Sequence, residues 1–326
     1  MNNPFFINAG PFPIETLLKL ANIENKDNFK KKSIYNIKDL FTAETTDISF
    51  FHSKKYENLA SKTKASFCIT KKNLSSILPK ECNAIIVENV LTATAKITKA
   101  LYPNSITDDF DPTVEIIEKT EFKKIVKYGK NVLVGKNVSI GNNCSIGHNS
   151  IIESNVVIGS NCSIGSNVII RKTIIKDNVH ILDGCIIGKK GFGFFPDKEK
   201  NFRYPHIGIV IIEDNCEIGC GSTIDRGSLS NTTIGMNTYI DNQVHIAHNN
   251  KIGDNCIIAG QVGFAGSSKL GNHVMIGGQA GISGHLKIGN NVQIAGGSGV
   301  IKDIQDNSKV MGYPAKDLKQ FIKNNK

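Results

Sequence analysis

The chain has 326 residues, 40% hydrophobic and 21% charged, an ordinary composition for a folded protein with room for two domains. Its 39 basic and 29 acidic residues leave a net charge of +10, which favours acidic partners, but no basic motif interleaved with aromatics marks a nucleic-acid binder. No apolar run reaches about 18 residues, so no integral membrane segment is expected, and the opening residues lack the basic-then-apolar pattern of a signal peptide. The eight cysteines (Cys68, Cys82, Cys144, Cys162, Cys185, Cys216, Cys220 and Cys256) show no paired CxxC spacing. They read as small buried thiols in a reducing cytoplasm.

Taken in chain order, residues 1–100 read as a separate small α/β domain. Helical spacing begins at Ile14 after Pro11 and Pro13 and runs to Asn22, and strands are expected over 47–51, 65–70 and 84–87. Residues 101–130 read as a linker and an irregular first coil, with weak hexads at Ile116, Phe122 and Tyr128. From 131 to 305 the sequence repeats every six residues. Aliphatics fall at Val134, Ile140, Ile146, Ile152, Ile158, Ile164 and Ile170, a small or apolar residue lies two positions before each, and Gly and Asn follow them. The phase slips by one near Lys172, resumes at Ile175, breaks for an insertion at 189–208, returns at Ile212, and runs unbroken from Ile234 to Val300.

A six-residue period with short strands means a parallel β-helix, in which three hexads make one coil and stacked coils bury a column of Ile and Val. The Gly and Asn are expected to supply turns with positive φ. Residues 306–326 read as a C-terminal extension, with a turn at Gly312-Tyr313-Pro314 and an amphipathic helix from about Lys316 whose apolar stripe is Leu318, Phe321 and Ile322.

Coil arithmetic singles out one site. His248 and Gly266 differ by 18 and stack on adjacent coils at one corner, with Gly284 and His285 a further coil on. A neutral imidazole suits removal of a proton from an attacking amine near neutral pH. A backbone N–H at close range suits the oxyanion of a tetrahedral intermediate. No Cys or Ser is paired with this histidine, so direct attack without an acyl-enzyme is the default. The period alone leaves open a small-molecule acetyltransferase, an O-acyltransferase, a zinc carbonic anhydrase on the same scaffold and a non-catalytic solenoid. Among His148, His180, His245, His248, His273 and His285 no pair has the five-residue offset typical of the carbonic anhydrases, so no metal is expected.

The segments Gly191-Phe-Gly-Phe194, Thr223-Ile-Asp-Arg-Gly227, Ile240-Asp-Asn-Gln243, Ile246-Ala-His-Asn249, Ala265-Gly-Ser267 and Ser283-Gly-His285 occur in one order. In that order the chain resembles the UDP-3-O-acylglucosamine N-acyltransferases of lipid A biosynthesis, over most of its length. The resemblance implies a left-handed coil, against the general preference for right-handed parallel crossovers. It implies a cytoplasmic homotrimer with sites between subunits and no bound cofactor. The acyl donor it implies is a 3-hydroxyacyl group on the phosphopantetheine of acyl carrier protein, and the acceptor is UDP-3-O-acylglucosamine. By it, His248 is the catalytic base, Gly266 the oxyanion donor, Asp241 and Asn242 lie near the reacting groups, and His285 is a substrate-binding or charge-stabilising histidine.

Phe50 and Tyr56 match aromatics that sandwich the uracil ring, although Ser53-Lys54 stands where relatives often have Asn-Pro. The sister O-acyltransferase lacks such an N-terminal domain. Three further expectations complete the reading. Gly299 opens the acyl-chain groove, where a bulky residue would act as a floor. Lys302, Lys316, Lys319 and Lys323 dock the carrier protein. The aromatic insertion 189–208 covers the acyl or sugar region of a neighbouring subunit.

Overall fold

A computed structural model describes residues 3–24, 29, 32–196 and 201–324. The chain forms two compact units, one of Met1–Asp108 with Gly193–Ile207 and Ser228–Ser230, the other of Asp109–Phe192, Gly208–Gly227 and Asn231–Lys326.

The first unit is built on a four-stranded parallel sheet of Asn36–Ile37, Asp47–Phe51, Phe67–Thr70 and Asn83–Ile86. Alternation along the strands sends Ile48, Phe67 and Ile69 to one face, where they meet the helices Ile14–Leu20 and Val90–Leu101 through Leu17, Leu18, Ile97 and Leu101. Phe51 and Cys68 point the other way, into a smaller core with Ala60, Leu74 and Cys82. The expected strands are present, that at 47–51 with the same bounds and the other two slightly displaced. The second helix is an addition to the sequence reading. Residues 193–207 of the aromatic insertion belong to this unit: Phe194–Pro196 pairs with Asn201–Arg203, and Ile207 enters the helix-side core. Residues 197–200 of the insertion lie outside the described residues.

The second unit is a parallel β-helix with three sheets of eight, eleven and ten strands among the described residues. The first face runs from Ser139–Ile140 to Lys287–Ile288, the second from Val126–Tyr128 to Lys309–Met311, and the third from Leu133–Val134 through His245–Ile246 to Gly299–Val300. Register advances by 18 residues per coil, as in Ser139 to Val157, and each hexad aliphatic is buried. Burying one such side chain is worth roughly 1.5–3 kcal/mol, which is why the stack rather than any single coil is stable. At the phase slip the register advances by 17, from Val157 to Ile174. There Lys172 takes a positive φ of 50°, and buried Glu153 pairs with Arg171 at 3.2 Å and Lys172 at 3.8 Å.

The structure reassigns the two turn residues. Asn143, Asn161 and their equivalents hold the positive φ of each corner, near 57°. Gly135, Gly141 and Gly147 are outside that region, and serve close approach instead. A Cβ on Gly141 would stand 2.6 Å from the backbone of the next coil. Three departures from the sequence reading follow from packing. Ile116 is exposed on Glu115–Ile116, which pairs antiparallel with Leu133–Val134, and the inward residue is Ile117, so the regular coil starts at Val126. Cys220 is exposed, unlike the other seven cysteines. The terminal helix spans Leu318–Asn324, and Lys316–Asp317 first forms a short antiparallel strand against Val310–Met311. No helix among the described residues is long and apolar enough to cross a membrane.

Candidate active site

The corner that carries His248 follows the third-face strand His245–Ile246. Ile246 points inward, and the chain turns through Ala247, His248 and Asn249. Asn249 takes the positive φ of the corner, 63°, and places its Oδ1 2.8 Å from His248 Nδ1. A carbonyl oxygen there accepts the Nδ1 proton and leaves the Nε2 lone pair outward, the tautomer a base requires.

Asn250 occupies the inward position that other hexads give to Val, Ser or Cys. Its Nδ2 donates to Ala247 O at 2.7 Å and Ala265 O at 3.1 Å, and its Oδ1 accepts from Ser268 N at 3.0 Å. This buried amide ties the His248 corner to the next coil. It was visible in the sequence as the polar residue at an apolar repeat position.

The imidazole lies on Gly266. A Cβ at 266 would be 2.6 Å from His248 Cε1 and 2.7 Å from Nε2, so the approach requires glycine. Ser267 N donates to His248 O at 2.9 Å, and His285 N donates to Gly266 O at 3.0 Å, which fixes the Gly266 peptide from both sides. At other corners the N–H of the equivalent residue is capped by the side chain one coil on, as Met236 N is by Asp254 Oδ1 at 2.8 Å and His148 N by Ser166 Oγ at 3.1 Å. The residue one coil beyond Gly266 is Gly284, which has no side chain. Among the described residues the Gly266 N–H has no acceptor. A donor left open beside an imidazole is what an oxyanion site needs.

The structure therefore brings His248, Gly266 and the His285 backbone together. Asp241 and Asn242 sit at the preceding corner, between the second and third faces. Cys220 N donates to Asn242 Oδ1 at 2.7 Å, and Asn242 N to Asp241 Oδ1 at 2.7 Å, so their bonds stay at that corner.

A charged cluster beside the His248 corner was not singled out from the sequence. Gly188, with φ of 83°, makes a bulge that sets Lys189 opposite Asp225 and Lys190 opposite Arg226. Asp225 is buried, with Oδ1 3.4 Å from Lys189 Nζ and Oδ2 3.9 Å from His245 Nε2. Thr223 Oγ1 lies 2.7 Å from His245 Nδ1, and the buried Arg226 donates from Nη1 to Gly188 O at 3.1 Å. Burial pushes the Asp225 carboxyl up from the ordinary carboxylate range; Lys189, then His245, oppose that push.

The outward track of the third face runs His245, Gly263, Gly281, Gly299. A Cβ at Gly263 or Gly281 would meet nothing within 4 Å, but one at Gly299 would stand 1.9 Å from the Tyr313 ring. The expectation that glycine at 299 opens the track is thus corrected: Tyr313 fills the space that a side chain there would take. Lys302, Lys316, Lys319 and Lys323 are exposed in the same unit.

In the first unit, Phe50 is the penultimate residue of its strand and half-buried. Ser53 caps the following turn by accepting from Lys55 N at 3.4 Å, and that turn delivers Tyr56. The two rings do not form a bare pair. His52 lies between them, 5.7 Å from Phe50 with planes 15° apart and 5.6 Å from Tyr56. Burial raises the Tyr56 hydroxyl above its usual range. No group of three or more His, Cys, Asp or Glu able to hold a metal occurs among the described residues.

Comparison with known proteins identifies the fold and the family. The family model for bacterial transferase hexapeptides matches residues 129–159, 137–172 and 231–266. A solved UDP-N-acetylglucosamine acyltransferase from Campylobacter jejuni is 26% identical, with a TM-score of 0.52 over 59% of this chain and 73% of that one. The fold is a left-handed parallel β-helix, and the class is that of the hexapeptide-repeat acyltransferases.

Residues 32–100 match the family model for UDP-3-O-(3-hydroxymyristoyl) glucosamine N-acyltransferase, LpxD. A UDP-3-O-acylglucosamine N-acyltransferase of Legionella pneumophila (strain Paris) is 41% identical over 324 residues, 99% of this chain and 94% of that one. One of Rickettsia prowazekii is 41% identical over 252 residues, 76% and 73% of the two chains. The chain belongs to the UDP-3-O-acylglucosamine N-acyltransferase family.

Proposed function

We propose that the protein transfers a 3-hydroxyacyl group from acyl carrier protein to the 2-amine of UDP-3-O-(3-hydroxyacyl)glucosamine in lipid A biosynthesis, as a cytoplasmic homotrimer with its sites between subunits. The observation that carries this reading is the His248 imidazole held against a Gly266 N–H that has no acceptor among the described residues. The amine attacks the thioester carbonyl carbon while His248 Nε2 takes its proton. The new C–N bond leaves a tetrahedral oxyanion, which accepts from Gly266 N–H. Collapse breaks the C–S bond, and the phosphopantetheine thiolate leaves with the proton held by His248. No cofactor is consumed, because the donor carries its own activated acyl group.

The aromatic cluster of the first unit supports recognition of the uracil base, for which a planar ring exchanges places with His52 between Phe50 and Tyr56. Asp241, Asn242 and His285 complete the acceptor site, with Asp241 and Asn242 reaching the reacting groups from another subunit's corner. The bare backbone at Gly263 and Gly281 supports passage of the acyl chain along the third face from His245. Three coils of about 4.8 Å give a track of roughly 14 Å, ended at Gly299 by Tyr313. The exposed lysines Lys302, Lys316, Lys319 and Lys323 support docking of an acidic carrier protein.

The test is a competition assay with purified protein, offering 3-hydroxyacyl carrier protein against acetyl-coenzyme A, and the 2-amino sugar against its UDP-N-acetylglucosamine counterpart. Amide product from the carrier-borne donor is expected. Ester product on UDP-N-acetylglucosamine would assign the chain to sugar O-acylation instead.

A further inference from the structure

Beside the base stands a carboxylate to which the acyl-transfer reading assigns no role. Asp225 takes the hexad position that Ala247 and Ala265 take in the two following coils, and the pairing of Ile224 with Ile246 sets it next to Ala247, one residue before His248. A carboxylate in that position is buried against the coil and cannot be hydrated, so it persists as an anion only if cations are brought to it. The fold brings Lys189, and His245 adds a second positive charge when it is protonated. The bulge at Gly188 swings Lys189 to one oxygen, at 3.4 Å, and His245 presents Nε2 to the other, at 3.9 Å. Gly188 is indispensable there, because a Cβ would stand 1.6 Å from Arg171 O. His245 is in turn fixed at Nδ1 by Thr223 Oγ1 at 2.7 Å, so the ring is held at both nitrogens.

The charged and titratable groups around the corner are Lys189 and Lys190 on Ile186–Lys190, Asp225 and Arg226 on Thr223–Arg226, His245 on the base's own strand, Lys251 beyond it and His285 two coils on. Arg226 is committed to the Gly188 carbonyl. Of these groups Asp225 alone is anionic, and its field reaches His248 as well as Lys189 and His245.

We propose that Asp225 is a positioning residue of the acyl-transfer site, anchoring His245 and Lys189 and supplying the negative charge that balances His248 while it carries the amine's proton. The proposal rests on His248 being the base. During attack a proton moves from the amine nitrogen to His248 Nε2, and the corner gains one positive charge. A fixed anion at a half-buried corner stabilises that state more than the neutral one. No proton passes to Asp225 itself, and the proton on His248 leaves with the thiolate. Lys189 has a second effect: it opposes the uptake of a proton by the buried carboxylate.

The experiment is the pH profile of kcat/KM for the intact protein and for Asp225→Asn and Lys189→Met, with thermal melting as the control for folding. Removing the anion makes His248 a weaker base that stays neutral to lower pH. In Asp225→Asn the acid limb therefore moves to lower pH by about half a unit or more, the plateau falls about 10-fold, and KM for the acceptor stays within about twofold. Removing the cation in Lys189→Met lets the buried carboxyl take up a proton and moves the limb in the same direction, by less. A merely structural lesion lowers the plateau without moving the limb. An unmoved limb in folded Asp225→Asn overturns the proposal, as does a shift of the two variants in opposite directions. If Asp225→Asn does not fold, an unmoved limb in Lys189→Met overturns it alone. His248→Ala with normal turnover would instead overturn the reading of His248 as the base.

Discussion

Gly266→Ala separates the position of the base from the presence of the oxyanion donor. The backbone at 266 lies outside the positive-φ region, so alanine fits the main chain and keeps its N–H. The added methyl stands 2.6 Å from His248 Cε1 and 2.7 Å from Nε2. Ordinary carbon contacts begin near 3.5 Å, so the ring must retreat by about 1 Å. The ring is the end of a side chain at a corner, and its movement costs the fold little. Catalysis is less tolerant, since a displacement of about 1 Å can cost 100-fold. Single-turnover acyl transfer by Gly266→Ala is therefore expected to fall about 100-fold, with the melting temperature and acceptor affinity near those of the parent. Parental turnover in a folded Gly266→Ala would show that the imidazole does not rest on Gly266 in the working enzyme.

Three further outcomes are expected. Phe50→Ala and Tyr56→Ala raise KM for the UDP-sugar more than they lower kcat, because stacking is remote from the chemistry; normal UDP-sugar binding in both, by calorimetry, would make these rings structural. Tyr313→Ala removes the ring that covers Gly299 and shifts preference toward longer acyl donors, by up to about fourfold per methylene admitted at roughly 0.8 kcal/mol each; an unchanged chain-length profile in a folded variant would exclude the acyl chain from this position. Glutamate at Lys302, Lys316, Lys319 and Lys323 weakens carrier binding, most at low salt where exposed charges are least screened; unchanged affinity at low ionic strength would remove these lysines from docking.

The coil was legible in the sequence because each inward residue recurs at a fixed interval, so Ile234 to Val300 could be stacked by counting. The same counting placed Gly266 under His248. It could not reach Asp225: the partner Lys189 lies across the insertion, and the register shifts between Ile187, paired with Ile224, and Lys189, paired with Asp225. The helix Val90–Leu101 escaped because its buried face carries Thr94 and Thr98, whose hydroxyls donate to Val90 O at 2.7 Å and Thr94 O at 2.8 Å and so hide polar atoms in the core. His52 was passed over because sequence spacing does not say which rings stack. The role of Gly299 was misjudged because Tyr313 returns over it from beyond the last hexad.

The most direct test is single-turnover transfer from 3-hydroxyacyl carrier protein to UDP-3-O-acylglucosamine by the parent and by His248→Ala, followed by mass spectrometry of the sugar product. His248 packs on Gly266 at the corner and is absent from the buried aliphatic column. The variant should therefore fold, and should form amide product at least about 100-fold more slowly, the loss expected for a general base. Amide formation at the parental rate by His248→Ala would contradict the assignment of this corner as the acyl-transfer site.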